Sequence, residues 1–264
     1  MSVPRLLATD LDGTLLRSDG SVSERSVRAL RAAADAGIET VLVTARPPRW
    51  LDDLAHVVGA RGIALCGNGA FRYDVLQQRV FGERTIEPDV VAEVVADLRS
   101  ELPGTGFAAE RSTGLAAERM FAAIHDHPED LVTTSRIEDL RDAAAGKLLA
   151  RNPHLDDEEF LTSAAEVVGD RVILAYSGSG GLAEMSAPGV TKAAALEAWC
   201  AEIGIDAAEV WTFGDMPNDL PMLTWSGRSF AVANAHPEVQ AVVTDRTGSN
   251  DEDGVAAAIE AILR

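Results

Sequence analysis

Residues 38–43 read Ile-Glu-Thr-Val-Leu-Val, an almost unbroken β-branched run. Such a run fits a strand covered on both faces inside a parallel sheet, not one half exposed to water. Parallel neighbours cannot be joined by a tight turn, so a crossover must precede this strand. The chain supplies one: Val27, Leu30 and Ala34 recur at helical spacing, Ser23 stands where an N-cap belongs, and Gly37 stops the pattern. Upstream lies a second apolar run, Leu6, Leu7 and Ala8, which empties into Asp10-Leu11-Asp12-Gly13-Thr14. Strand, helix and strand in that order form a right-handed crossover. Asp10 and Thr44 therefore fall at the same carboxyl edge of one sheet.

The same reading carries along the chain. It predicts a helix over residues 48–58, a short strand over 62–66 ending in Gly67-Asn68-Gly69, and a small hairpin around Phe71, Tyr73, Val80 and Phe81. Between residues 83 and 187 the regular alternation lapses. Helices are expected over 88–102 and 156–168, strands over 106–109 and 146–150, and a hairpin over 171–177 and 182–187. The hairpin encloses Gly178, Ser179, Gly180 and Gly181, which, with no helix opening after them, read as a turn and not a phosphate loop. From Val190 the alternation resumes: a helix over 191–203, a strand over 210–213, a helix over 220–225, strands over 230–233 and 242–244, and a closing helix over 253–263. The expected architecture is α/β. A Rossmann-like, doubly wound, mostly parallel sheet forms a core from residues 1–82 and 188–264, with an α+β cap domain inserted over 83–187.

At 264 residues there is ample chain for a sizeable core, but the net charge of −19 is unusual. A surface that acidic repels nucleic acid and anionic membranes, so neither is expected as a partner. It also repels phosphorylated small molecules at long range, and any site for them needs cations of its own. Cys66 and Cys200 are too few for a disulfide framework and sit in apolar segments, as reduced core residues do. Asp10 and Asp12 interrupt the first apolar run before it could serve as a signal peptide, and no run approaches the ~20 residues of a membrane span. The expectation is a cytoplasmic protein, monomeric or weakly homo-oligomeric.

Two carboxylates at the exit of a buried strand are costly, because each loses hydration and they repel each other. In an extended exit, residues two apart point the same way, so Asp10 and Asp12 could reach one ion or substrate together. Gly13 would then turn the chain away. An Asx-turn without chemistry could use the same residues. Lys192 raises a second question, since a lysine in the first turn of a helix opposes the helix dipole. A phosphate would answer both. Lys192 would neutralise it, the Thr44 hydroxyl and loop amides would bond it, and Mg²⁺ would bridge it to Asp10, Asp12, Asp215 and Asp219. His125, Asp126 and His127 tempt a second metal site, but no further His or Cys lies near them in sequence, and a solvated loop accounts for them.

Asp10-Leu11-Asp12-Gly13-Thr14, Thr44, Lys192 and Gly214-Asp215-Met216-Pro217-Asn218-Asp219 resemble the four ordered motifs of the haloacid dehalogenase-like superfamily. Within it the chain is similar to the Cof-type, type IIB phosphatases, with support from Gly67-Asn68-Gly69-Ala70, the approach Pro188-Gly189-Val190-Thr191 to the lysine, Asn234-Ala235, and residues 249–255. The resemblance implies that Asp10 is a nucleophile forming an aspartyl-phosphate and that Asp12 is the acid and base. It implies Mg²⁺ held by the Asp10 carboxylate, the Asp12 carbonyl and Asp215. Thr44, Lys192, Asn218 and the amides of Leu11 and Ala45 would hold the phosphoryl group, Arg46 and Asn68 could reach the substrate, and Asp219 would act behind Lys192. Ala45 replaces the glycine usual at that place. The implied activity is a Mg²⁺-dependent phosphatase of small phosphorylated metabolites, either sugar phosphates or nucleotide-related monoesters. A phosphomutase shares the nucleophile and the acid, and a silent phospho-ligand binder shares the fold.

Overall fold

The computed structural model describes residues 3–124, 131–140, 144–175 and 180–263. The chain divides into two compact units, Met1–Gly82 with Thr191–Arg264, and Glu83–Val190.

The first unit opens with β1 (Leu6–Thr9), α1 (Glu24–Asp35), β2 (Glu39–Val43), β3 (Ile63–Cys66), β4 (Phe71–Asp74) and β5 (Arg79–Glu83). Ser23 caps α1, its hydroxyl accepting from Ser26 N–H at 3.0 Å. Residues 48–58 depart from expectation. They form 3₁₀ turns at Pro48–Trp50 and Asp52–Leu54 in place of an α-helix. Pro48, Leu51, Leu54 and Val57 are the buried residues here, and their spacing of three is the 3₁₀ period. Leu51, Leu54 and Val57 each donate a backbone bond to the carbonyl three residues back, at 2.9–3.0 Å.

The second unit comprises α2 (Pro88–Glu101), β6 (Gly106–Arg111), β7 (Gly114–Glu118), α3 (Arg119–Ile124), β8 (Val132–Thr134), β9 (Lys147–Arg151), α4 (Asp157–Val168), β10 (Ile173–Ala175) and β11 (Ala183–Ser186). Its sheet runs β10-β11-β9-β6-β7-β8, antiparallel except for the β7–β8 pair. Val94, Val95 and Leu98 of α2 and Phe160 and Ala164 of α4 bury one face of that sheet through Phe107, Leu148 and Met185. β7, α3 and β8 had no expected counterpart. Ala-rich segments such as 114–118 carry neither a strand nor a helix signal of their own.

The first unit resumes with α5 (Lys192–Ile203), β12 (Val210–Gly214), α6 (Leu220–Trp225), β13 (Arg228–Ala231), α7 (Pro237–Val242), β14 (Asp245–Arg246) and α8 (Gly254–Ile262). Its sheet has the order β14-β13-β12-β1-β2-β3-β4-β5, with every pair from β14 to β3 parallel and β4 antiparallel to β3. Leu6, Ala8, Val41, Val43 and Leu65 pack with Leu196 and Trp199 of α5, Met222 of α6 and Val239 of α7. The alternate residues Leu7, Leu42 and Ala64 are also buried, so the central strands are covered on both faces. This is the α/β, doubly wound core that the β-branched runs require. Residues 242–244 are not a strand: Pro237 opens α7, His236 Nδ1 accepts from Glu238 N–H at 3.3 Å, and Val239 fills the core, so Val242 closes a helical turn. Among the described residues no helix is long and apolar enough to cross a membrane.

Candidate active site

The carboxyl ends of β1, β2 and β12 and the start of α5 bring the expected residues into one region of the first unit. Asp10 continues β1 by one residue, its N–H donating to Phe213 O at 3.0 Å. The chain then makes a wide turn over Leu11–Leu15, closed by Leu16 N–H on Leu11 O at 2.8 Å. Gly13 sits in that turn at φ +75°, and a Cβ on it would lie 2.3 Å from Asp215 Oδ2. Only glycine fits both the backbone and the space.

Asp10, Asp215 and Asp219 are all buried, and each offers a carboxylate oxygen within 4.8 Å of the others. Lys192, first residue of α5 and 2% exposed, sends its ammonium into this group, 2.6 Å from Asp10 Oδ1 and 2.7 Å from Asp219 Oδ1. Thr191 caps the same helix by accepting from Ala194 N–H at 3.1 Å. Asp219 is fully engaged, because Oδ2 also accepts from the N–H groups of Asp215 (3.0 Å) and Met216 (3.1 Å). Thr14 Oγ1 donates to Asp215 Oδ1 at 2.9 Å.

The electrostatics follow from burial. Lost hydration pushes the Asp10 carboxyl well above its ordinary range; Lys192 opposes this, and the charges of Asp219 and Asp215 add to it. Burial and then Asp219 push Asp215 up to about 6, against the hydrogen bond from Thr14. Burial disfavours the Lys192 charge, but Asp10 and Asp219 outweigh it and hold the ammonium protonated beyond its usual range.

Asp12 does not join the cluster. Its carboxylate is forked by Arg46, with Nε on Oδ2 at 2.8 Å and Nη2 on Oδ1 at 2.6 Å, and its side chain is 58% exposed. The turn at Gly13 and the guanidinium hold this carboxylate at the rim, apart from the carboxylate oxygens of Asp10, Asp215 and Asp219. Thr44 is buried in the loop after β2, where its hydroxyl oxygen accepts from Arg46 N–H at 3.0 Å. Ala45 lies between them. Leu11 is buried beside Asp10. Asn68 N–H donates to Thr44 O at 2.9 Å, and Asn68 Oδ1 accepts from Asn218 Nδ2 at 3.4 Å.

Two further residues brace the Asp10 turn. Asn234 donates to Gly13 O at 2.8 Å and accepts from Asn250 N–H at 3.0 Å, while Asn250 Nδ2 donates to Leu16 O at 3.0 Å. Their partners lie more than two hundred residues away, and only their presence in the family-like segments marked them. Cys66 and Cys200 are buried thiols; burial pushes Cys66 well above its usual range and Cys200 up to about 12, which suits inert core residues. His125, Asp126, His127, Gly178 and Ser179 lie outside the described residues.

The haloacid dehalogenase-like hydrolase profile matches residues 7–259. YxeH of Bacillus subtilis is 29% identical over 269 residues, 98% of each chain. The 5-amino-6-(5-phospho-D-ribitylamino)uracil phosphatase YcsE of Bacillus subtilis is 28% identical over 255 residues, 97% of this chain and 94% of that one. The solved subclass IIB sugar phosphatase BT4131 superposes with a TM-score of 0.78 at 21% identity, over 97% of this chain and 98% of its own. The chain belongs to the haloacid dehalogenase-like hydrolase family.

Proposed function

We propose that the protein is a Mg²⁺-dependent phosphatase of small phosphorylated metabolites that works through an aspartyl-phosphate on Asp10. The observation that carries this is the imbalance at Asp10: three buried carboxylates face one ammonium. So much buried negative charge calls for a cation, and donors that are all carboxylate oxygens suit a hard divalent ion. The residues fit Mg²⁺ held by the carboxylates of Asp10 and Asp215 and the carbonyl of Asp12, where it would supply positive charge to the phosphoryl oxygens. Asp219, with both oxygens engaged, orients Lys192 instead.

In this reading Asp10 attacks phosphorus and the bond to the leaving oxygen breaks. Thr44, Lys192, Asn218 and the amides of Leu11 and Ala45 hold the phosphoryl group in line. Asp12 gives its proton to the leaving oxygen, then takes one from the water that hydrolyses the acyl phosphate. Arg46, already on Asp12, fixes where that carboxylate waits. The Glu83–Val190 unit selects the leaving group. YcsE, a 5-amino-6-(5-phospho-D-ribitylamino)uracil phosphatase, supports nucleotide-related monoesters as a first candidate class beside sugar phosphates. The test is phosphate release from a panel of metabolite monoesters with Mg²⁺ and with EDTA. Metal-dependent release is expected; its absence from every monoester, or release untouched by EDTA, would overturn the proposal.

A further inference from the structure

Asn68 is one of three non-glycine residues with positive φ among the described residues, at +58°, between Gly67 at +60° and Gly69 at +101°. Glycine would take this conformation with less strain, so the fold alone does not call for a side chain here. The turn is wedged into the site. Asn68 N–H is bound to Thr44 O and Gly67 N–H to Arg46 O, both at 2.9 Å, and a Cβ on Gly69 would come within 2.6 Å of Thr191 O at the start of α5. Asn68 thus stands between the Thr44 loop and the helix that carries Lys192, with Asn218 of the Asp215–Asp219 loop on its carbonyl.

Asn68 is 6% exposed, and its Nδ2 has no hydrogen-bond partner among the described residues. Neighbouring polar groups contrast with it: Asp10, Thr14, Lys192 and Asp219 are all bonded. Asparagine in a turn usually bonds its own local backbone, but here the oxygen goes to Asn218 and the amide to nothing. An unmet buried donor is unfavourable, and it calls for a partner that arrives later. An amide NH₂ nitrogen cannot ligate a cation, so its partner is an acceptor. The acceptor this site would receive is a phosphoryl oxygen, which has no proton of its own to give.

We infer that Asn68 is a phosphate-binding residue whose side-chain amide donates to the phosphoryl group placed at Asp10. This rests on the phosphatase reading and adds a recognition contact to it. Two variants separate binding from folding. Asn68→Gly removes the amide while easing the backbone, and Asn68→Asp keeps the shape but replaces the donor with an acceptor. The experiment titrates inorganic phosphate into the Mg²⁺-loaded wild-type protein and both variants by calorimetry, with thermal melts alongside. Expected are a loss of phosphate affinity of ~10-fold or more in Asn68→Gly, a larger loss in Asn68→Asp, and a melting temperature for Asn68→Gly equal to or above wild type. Phosphate affinity of Asn68→Gly within twofold of wild type overturns the inference, as does full affinity in Asn68→Asp. A drop of several degrees in Asn68→Gly would assign the side chain to the turn instead. A wild-type protein that neither binds phosphate nor releases it from any monoester would remove the phosphatase reading and this contact together. An intact wild type with an indifferent Asn68→Gly removes this contact alone.

Discussion

Asp215→Asn, studied without metal, tests the electrostatic account of the site directly. Burial and Asp219 push the Asp215 carboxyl from its ordinary 3.8 up to about 6. The native state therefore holds this proton more tightly than the unfolded chain does. Stability from that proton is present at pH 4 and below, and it is lost as pH rises through 6. At 1.36 kcal/mol per pH unit, a shift of about two units makes ionised Asp215 cost about 3 kcal/mol at neutral pH. Asparagine keeps the oxygen that accepts from Thr14 at 2.9 Å and stays neutral throughout. In EDTA at pH 7.5 the variant should exceed wild type by about 2–3 kcal/mol, or roughly 5–10 °C in melting temperature, and match it near pH 4. Adding Mg²⁺ should reverse the order, because only wild type gains binding energy from the cation. Differential scanning calorimetry across pH 4–8, with EDTA and with Mg²⁺, reads all of this. A variant less stable than wild type at pH 7.5 in EDTA, or offset equally at both ends of the range, would refute the reasoning.

Asp10→Asn should abolish turnover with the fold intact by near-UV circular dichroism; residual activity above about a tenth of wild type would remove Asp10 as nucleophile. Asp12→Asn should slow phosphate release ~10²–10⁴-fold, the usual worth of a positioned acid and base, and unchanged rates would show that another group carries the proton. Gly13→Ala forces a side chain to φ +75° and puts its Cβ 2.3 Å from Asp215 Oδ2. That should cost about 1–2 kcal/mol from the backbone alone and weaken Mg²⁺ binding as well. A melting temperature and cation affinity equal to wild type would show that the turn relaxes freely.

Much of what could be read from the sequence was local. Ser23 caps its helix as its position implies, and the β-branched runs form the buried parallel strands; Asp156 and Thr191, expected as first helical residues, prove to be caps. Residues 48–58 were misread because Leu51, Leu54 and Val57 fit a helix loosely and a 3₁₀ turn closely. The convergence of Asp10, Lys192, Asp215 and Asp219 was legible, since each lies at a strand's carboxyl end, in the following turn or at a helix start. Which carboxylates share the cluster was not. Asp12 is diverted by Arg46, whose guanidinium reaches back 34 positions along the chain. Asn234 and Asn250 act on backbone carbonyls at the far end of the sequence, where no spacing rule could pair them.

These contacts together constrain how an anion can enter. Lys192 is the cation at the heart of the site, yet two carboxylates already hold it at 2.6 and 2.7 Å. With Asp10, Asp215 and Asp219 all ionised, the cluster would carry two net negative charges before any phosphate arrives. On a chain of net charge −19, neither long-range attraction nor Lys192 alone can offset that. In the proposed reading a divalent cation held by Asp10 and Asp215 would bring the cluster to neutrality, and only then would the donors of Thr44, Lys192 and Asn68 face a site that tolerates a dianion. Cation and phosphate would then raise each other's affinity by the same factor, as linkage requires. In that reading the acidity that repels phosphate from the bare protein would make its binding conditional on the metal.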